Sequence, residues 1–481
     1  MVMQTKQIRL TDELIQELNM LVDVGMYSSI SEAIRDSVRR LVTGREAPIK
    51  NLPEKTEKTI QKLDKEVSKQ FQKAKGTSDF YPEDMEQRKT IFRKFMKTAE
   101  NYNFKQIEAP AFENTNLLTV KQGQEIRDQI FIIEKKGSEE LGLRFDITVS
   151  ATRMFIEKQK ELPKPVKWFY LTRMWRYERP QTGRLREFYQ YGVELFGSDK
   201  PEADAEILNL LIDSLQSLGL TSKDFFIKIN NRKLLEGLLL DIVNKDIIND
   251  VIRIIDKRSK LSDIEFLNEL KKLDLDDEKI AKITSTLNIT NIKEIKTSDL
   301  NEEAENGLNE IKAILNLLKS RKEFIQVDLS TARGLAYYTG TVFECFDKEE
   351  KFRAIAGGGR YDKMVEQFKG EPTAATGFGL GYSTLTLLLK EKDLLPKINL
   401  APDIYIITIG DVKQQALELA TKLREKNRVD VDLSERNLRN QFKYANSIKA
   451  KKTIVLGENE IKQGSYKIKD MKTGKEEEVK L

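Results

Sequence analysis

The 481-residue chain contains no histidine. That absence excludes Ser-His-Asp hydrolysis, imidazole general bases and His-ligated metals together. Cysteine is almost as scarce: Cys345 stands alone, so there is no internal disulfide framework and no cysteine-based zinc site. No apolar run reaches bilayer-spanning length and the N-terminus does not read as a signal peptide, so a cytoplasmic protein without a membrane partner is expected. What is abundant is charge. Lys and Arg number 82 against 77 Asp and Glu, a net +5, with 33% charged and 39% hydrophobic residues. This is the composition of a globular protein of about two to four domains, and its mild basic excess permits a nucleic-acid partner. Chemistry must therefore run on carboxylates, arginines, tyrosines and an ion such as Mg²⁺.

The first 45 residues read as a separate unit. Lys6-Gln-Ile-Arg-Leu10 alternates like a short strand, and Thr11-Asp-Glu opens a helix carrying Leu14, Leu18, Leu21 and Val22 at helical spacing. Gly25 stops it, and Ser28-Ser-Ile-Ser starts a second amphipathic helix running to Val42. Strand, helix, glycine turn and helix resemble the ribbon-helix-helix family of DNA-binding dimers. That resemblance implies that Thr5, Gln7 and Arg9 face bases, with Ser29 to Ser31 near a phosphate. A module that only dimerises fits the same pattern. Residues 46–75 are rich in lysine and carry a narrow apolar stripe of Ile60, Leu63, Val67 and Phe71, as in a charged helical linker.

The most informative stretch is Arg173-Met-Trp-Arg-Tyr-Glu-Arg-Pro-Gln-Thr-Gly-Arg-Leu-Arg-Glu-Phe-Tyr-Gln-Tyr-Gly-Val-Glu194. Its five arginines lie between two apolar-alternating segments joined by a glycine-containing loop. Arginines presented from paired strands suit a rigidly held polyanion. The segment resembles motif 2 of the class II aminoacyl-tRNA synthetases in its histidyl form. From Lys75 to the C-terminus the resemblance to histidyl-tRNA synthetases is continuous. Phe104-Lys-Gln-Ile-Glu-Ala-Pro-Ala-Phe-Glu113 looks like motif 1, whose strand and Pro110 imply a homodimer interface. Residues about 222–325 look like the family's helical insertion, and residues 402–481, where strands alternate with amphipathic helices, resemble its anticodon-binding domain.

The expected fold is thus α/β (α+β). A class II antiparallel-sheet catalytic core over 76–398 holds the helical insertion, and an α/β anticodon-binding domain follows it. A small ribbon-helix-helix unit and a linker precede the core. The resemblance implies ATP, Mg²⁺, L-histidine and tRNA(His) as ligands. It puts Arg176 on the α-phosphate, Glu178 at the adenine amino group, and Arg184 and Arg186 near the ATP tail or the tRNA acceptor end. Thr331-Ala-Arg-Gly-Leu-Ala-Tyr-Tyr-Thr-Gly-Thr-Val-Phe-Glu344 looks like the histidine-specific block and makes Arg333 the second catalytic arginine. The histidine pocket implied is Asp146, Thr148 and Gln190 at the ammonium, Glu194 and Tyr338 at the imidazole, with Arg333, Tyr337 and Tyr361 lining it.

Two positions depart from the pattern. Ala336 stands where the histidine block has Asp, and Thr384 stands where motif 3, here Gly377-Phe-Gly-Leu-Gly-Tyr-Ser-Thr384, carries an arginine. The reading is a histidine–tRNA ligase. The alternative is a catalytically weak or inactive synthetase-like regulator that senses histidine or tRNA and binds DNA through residues 1–45.

Overall fold

The computed structural model describes residues 12–23, 27–34, 36, 72–120, 127–135, 137–258, 261–295, 300–332 and 337–480. The chain divides into two compact units, Met1–Ala74 and Lys75–Leu481. In the first, helix α1 spans Asp12–Asp23. A second helix begins at Ile30, where Ser29 O accepts from the Ala33 amide at 3.1 Å and Glu32 accepts from the Ser28 amide at 2.8 Å. The strand expected at 6–10, the base-contact residues Thr5, Gln7 and Arg9, Gly25 and nearly all of the linker lie outside the described residues.

The second unit is organised by an eight-stranded sheet. Its strands come from a set of ten: β1 (Lys105–Gln106), β2 (Phe112–Asn114), β3 (Leu141–Leu143), β4 (Val166–Trp175), β5 (Glu187–Phe196), β6 (Phe225–Asn231), β7 (Ile325–Val327), β8 (Thr341–Asp347), β9 (Ala356–Arg360) and β10 (Ala375–Gly381). The spatial order is β1-β4-β5-β10-β9-β8-β6-β7, with β2 and β3 forming a separate pair. All ladders from β4 to β6 are antiparallel, and only the outermost pairs, β1 with β4 and β7 with β6, are parallel.

One face is covered by helices α2 (Pro82–Asn101), α4 (Pro201–Gln216) and α10 (Tyr382–Glu391); α3 (Thr148–Glu157) lies on the other. Both α2 and α4 begin with proline at the first helical position, where no amide partner is lost, and carry acidic residues in the first turn that complement the helix dipole. Helix α2 buries Ile91, Phe95 and Ala99 at four-residue spacing against Tyr191 and Val193 of β5. Each such fully buried large apolar side chain contributes about 1.5–3 kcal/mol.

The helical insertion starts later than the sequence pattern suggests. Phe225-Phe-Ile-Lys-Ile alternates as a strand and is β6 of the main sheet, and Ile325 opens β7 beside it. Helices α5 (Arg232–Leu240), α6 (Ile248–Asp256), α7 (Asp263–Lys271) and α8 (Asp277–Leu287) share a core of their own around Leu239, Ile252, Phe266 and Ile283. Helix α9 (Glu302–Leu317) instead packs Leu308, Ile311 and Ile314 into the main core.

Residues 404–480 form a second sheet of order β12-β11-β13-β14-β15, from β11 (Ile404–Ile409), β12 (Val429–Val431), β13 (Lys452–Gly457), β14 (Ser465–Asp470) and β15 (Glu476–Lys480). The first three strands are parallel, joined through α11 (Lys413–Arg424) and α12 (Leu438–Ser447). No helix among the described residues is long and apolar enough to cross a membrane.

Candidate functional site

Period-two alternation decides which side chains reach the site. On β5, Tyr191, Val193 and Leu195 point into the helix-covered core, so Phe188, Gln190, Gly192 and Glu194 face the other way. The neighbouring strands repeat the division. Tyr170 pairs with Gly192 across β4, and Gly377, Gly379 and Gly381 of β10 pair with Glu194, Gly192 and Gln190. These small residues form a floor. A Cβ at Gly192 would run into the Tyr170 ring and the Phe378 carbonyl, and one at Gly379 would occupy the space of the Gln190 amide. At Gly192, Gly377 and Gly379 a side chain from another strand or loop lies across the glycine, leaving no room for a Cβ.

Above this floor is a cavity of about 390 Å³ lined by Asp146, Thr148, Tyr170, Arg176, Gln190, Tyr337, Tyr338 and Tyr361. It opens into an outer cleft of about 560 Å³ lined by Arg176, Glu178, Arg184, Glu344 and Arg353. Asp146 sits just before α3 and accepts from the Thr148 amide at 2.8 Å, and Tyr337 donates to its other oxygen at 3.5 Å. The Thr148 hydroxyl donates to Glu194 at 2.8 Å, and the Tyr361 hydroxyl donates to the second oxygen of the same carboxylate. Glu194 is 1% exposed. Burial, then the negative charge of Asp146, pushes its carboxyl well above the ordinary range, with the Thr148 hydrogen bond opposing them. Burial does the same to the Tyr170 phenol, with Glu194 and Asp146 adding to it, so the phenol keeps its proton. Gln190 donates to that phenol oxygen at 3.3 Å.

The motif 2 hairpin divides its arginines. Arg176 reaches both parts of the cleft and is held by an Nε hydrogen bond of 3.1 Å to the Phe145 carbonyl. Arg184 forms an ion pair with Glu178. Burial raises the Glu178 carboxyl, but the hydrogen bond and charge of Arg184, with Arg176 and Arg353 further off, hold it below its ordinary value. Arg186 is placed differently. Its guanidinium stacks 4.2 Å from the Tyr177 ring and its Nε donates to the Glu178 carbonyl at 3.0 Å, outside the cleft lining. Arg186 thus braces the hairpin from behind. Arg173 likewise lies away from the cleft, against Tyr189 and Glu187.

Arg333 and Ala336 lie outside the described residues. Thr384 is 6% exposed at the start of α10, its hydroxyl 3.5 Å from the Gly183 carbonyl on the motif 2 loop. The loop therefore closes over the position from which the family's arginine would project.

Several contributors are residues to which the sequence assigned no role. Arg360, at the end of β9, is 3% exposed and anchors the turn that presents Tyr361. It bonds Asp204 at 2.6 and 3.0 Å, Asp362 at 3.1 Å and the Ser198 and Lys200 carbonyls. Arg144 is equally buried and donates to the Ala109, Pro110 and Arg173 carbonyls, tying the motif 1 segment to β4. Tyr170 and Arg353 had no motif to flag them. For Tyr170 a usable signal existed in the small residue facing it, Gly192.

Residues 76–385 match the family described as Histidyl-tRNA synthetase, and residues 403–481 match the Anticodon binding domain. The Histidine--tRNA ligase of Pyrococcus furiosus is 39% identical over 424 residues, covering 85% of this chain and 97% of that protein. The Histidine--tRNA ligase of Natronomonas pharaonis is 39% identical over 411 residues, with 85% and 95% covered. Among solved structures, histidyl-tRNA synthetase from Nostoc sp. PCC 7120 shares the fold at a TM-score of 0.70 and 24% identity, covering 85% of this chain and 97% of that one. Apo histidyl-tRNA synthetase from S. aureus superposes at a TM-score of 0.65 and 26% identity, with 85% and 97% covered.

Proposed function

The chain belongs to the histidyl-tRNA synthetase family, and on that premise we propose that it is a histidine–tRNA ligase, joining L-histidine to ATP as the adenylate and passing it to tRNA(His). The observation that carries the reading is one continuous cavity: the Asp146 carboxylate lines its inner end, with Glu194 buried directly behind the lining residues Thr148 and Tyr361, and the cations Arg176 and Arg184 line its outer end. Relatives named as ligases, aligned over nearly their whole length, favour this over a histidine- or tRNA-sensing regulator.

Histidine offers an ammonium that needs acceptors and a ring with two nitrogens. Asp146, the Thr148 oxygen and the Gln190 carbonyl would take the ammonium; Glu194 and Tyr338 would meet the imidazole, with Tyr337 and Tyr361 closing the sides. A site that hydrogen-bonds both nitrogens rejects apolar analogues strongly, because its buried polar groups would be left unpaired. The substrate carboxylate then attacks the α-phosphorus as pyrophosphate leaves. Arg176 would hold the α-phosphate as charge develops, aided by Arg333, while Glu178 reads the adenine amino group and Arg184 turns toward the phosphate tail. The chemistry asks for positioning and charge neutralisation, which suits a chain without histidine.

Among the described residues no cluster of three or more carboxylates is gathered tightly enough to hold a metal alone. Mg²⁺ fits best as an ion arriving on ATP and sharing Glu344, a residue that lines both parts of the cleft. It would neutralise the pyrophosphate. Cytoplasmic location, pairing into a homodimer and DNA contact through Thr5, Gln7 and Arg9 complete the proposal.

The test is histidine-dependent ATP–pyrophosphate exchange followed by tRNA(His) acylation. Exchange stimulated by histidine but not by phenylalanine is expected; no exchange with saturating histidine and MgATP would overturn the ligase assignment.

A further inference from the structure

We infer that Arg353 binds the polyphosphate tail of ATP, supplying from the bend before the neighbouring strand the cation that Thr384 cannot; this rests on the ligase reading above. In the β9–β10 ladder Ala356 pairs with Leu380, and the Gly381 amide donates to the Ile355 carbonyl at 2.9 Å. The ladder ends there, β10 giving way to α10 at Tyr382, and Arg353, in the bend just before β9, lines the outer cleft with Ser383. Arg353 and Thr384 also line one small cavity of about 110 Å³ under the motif 2 loop. The two positions are alternative origins for a side chain entering the same place.

Arg353 lines the outer cleft together with Arg176 and Arg184. It donates to the neutral Gln181 amide oxygen at 2.7 Å and forms no ion pair among the described residues. The cleft's short ion pair, Glu178 with Arg184, leaves Arg353 facing a second cation. Partial burial and the charge of Arg184 both disfavour its protonated form, with Glu178 opposing them. Cations converging on an open cleft are an arrangement that a polyanion relieves, and a planar guanidinium can grip two phosphate oxygens at once. Being exposed and bonded only to a loop side chain, Arg353 can swing onto a ligand without disturbing the sheet.

The experiment compares wild type, Arg353→Ala and Arg353→Lys by calorimetric binding of MgATP and of AMP, and by histidine-dependent exchange. Arg353→Ala should weaken MgATP and raise its KM by about ten- to a hundred-fold, the size of a lost charge-assisted bidentate contact. AMP affinity, histidine KM and melting temperature should stay near wild type. Arg353→Lys, which keeps the charge and loses the fork, should fall between. Unchanged ATP affinity in Arg353→Ala, equal losses for ATP and AMP, or a lowered melting temperature would each overturn the inference. If wild type shows no exchange, the ligase reading fails, and the ATP-versus-AMP comparison still decides the role of Arg353.

Discussion

Replacing Glu194 by glutamine should separate binding from stability in opposite directions. The carboxylate is 1% exposed and accepts from the Thr148 and Tyr361 hydroxyls. Glutamine keeps the shape and one acceptor oxygen, and its amide can donate to whichever hydroxyl turns its lone pair inward. What it loses is the charged partner for a ring N–H of histidine. A charge-assisted hydrogen bond is worth about 1.5–3 kcal/mol, so kcat/KM for histidine should drop about 10- to 150-fold.

Stability should move the other way. Burial, then Asp146, raises the folded-state pKa of Glu194 above its ordinary 4.5. Above pH 4.5 the folded protein therefore holds a proton that the unfolded chain releases. The Glu194 contribution is fully present below that pH and declines as pH rises toward the folded-state value. Glutamine carries no such slope. Thermal melts at several pH values should show Glu194→Gln gaining on wild type as pH rises above 4.5 toward the raised folded-state value. Glu194→Ala, by contrast, should destabilise at every pH, because two buried hydroxyls lose their acceptor at about 1–3 kcal/mol each. A pH-independent difference between Glu194→Gln and wild type, or an unchanged kcat/KM for histidine, would refute the reasoning.

The remaining predictions concern the scaffold and the phosphate end. Arg360→Ala should cost about 3–5 kcal/mol in urea unfolding, because it strands the Asp204 carboxylate, itself 2% exposed. Gly192→Ala should cost about 1–3 kcal/mol and raise the histidine KM, since the new methyl displaces Tyr170 from Gln190. Arg176→Ala should lower the exchange kcat about 100- to 1000-fold with little change in melting temperature, read by exchange assay beside a thermal melt.

The sequence by itself determined the family, the two-strand hairpin of motif 2 and most of the pocket. Local pattern carries that information: the alternation of Phe188, Gln190, Gly192 and Glu194 assigns them to one face whatever the rest of the chain does. Strand alternation also marks Phe225–Ile229, which nevertheless reads as part of a helical stretch when weighed only by its neighbours. Tertiary structure alone decided what lies far apart in the chain. Arg360 meets Asp204 from 156 residues away, and Tyr361 meets Glu194 from 167. Arg186 matches the motif yet turns to Tyr177, while Arg353, which matches nothing, faces the cleft. Contacts between strands distant in sequence follow sheet order and register, and neither leaves a periodic trace in the residues. Thr384 shows the division most clearly. The chain reports that the motif 3 arginine is missing, and only the fold brings another arginine to the same cavity.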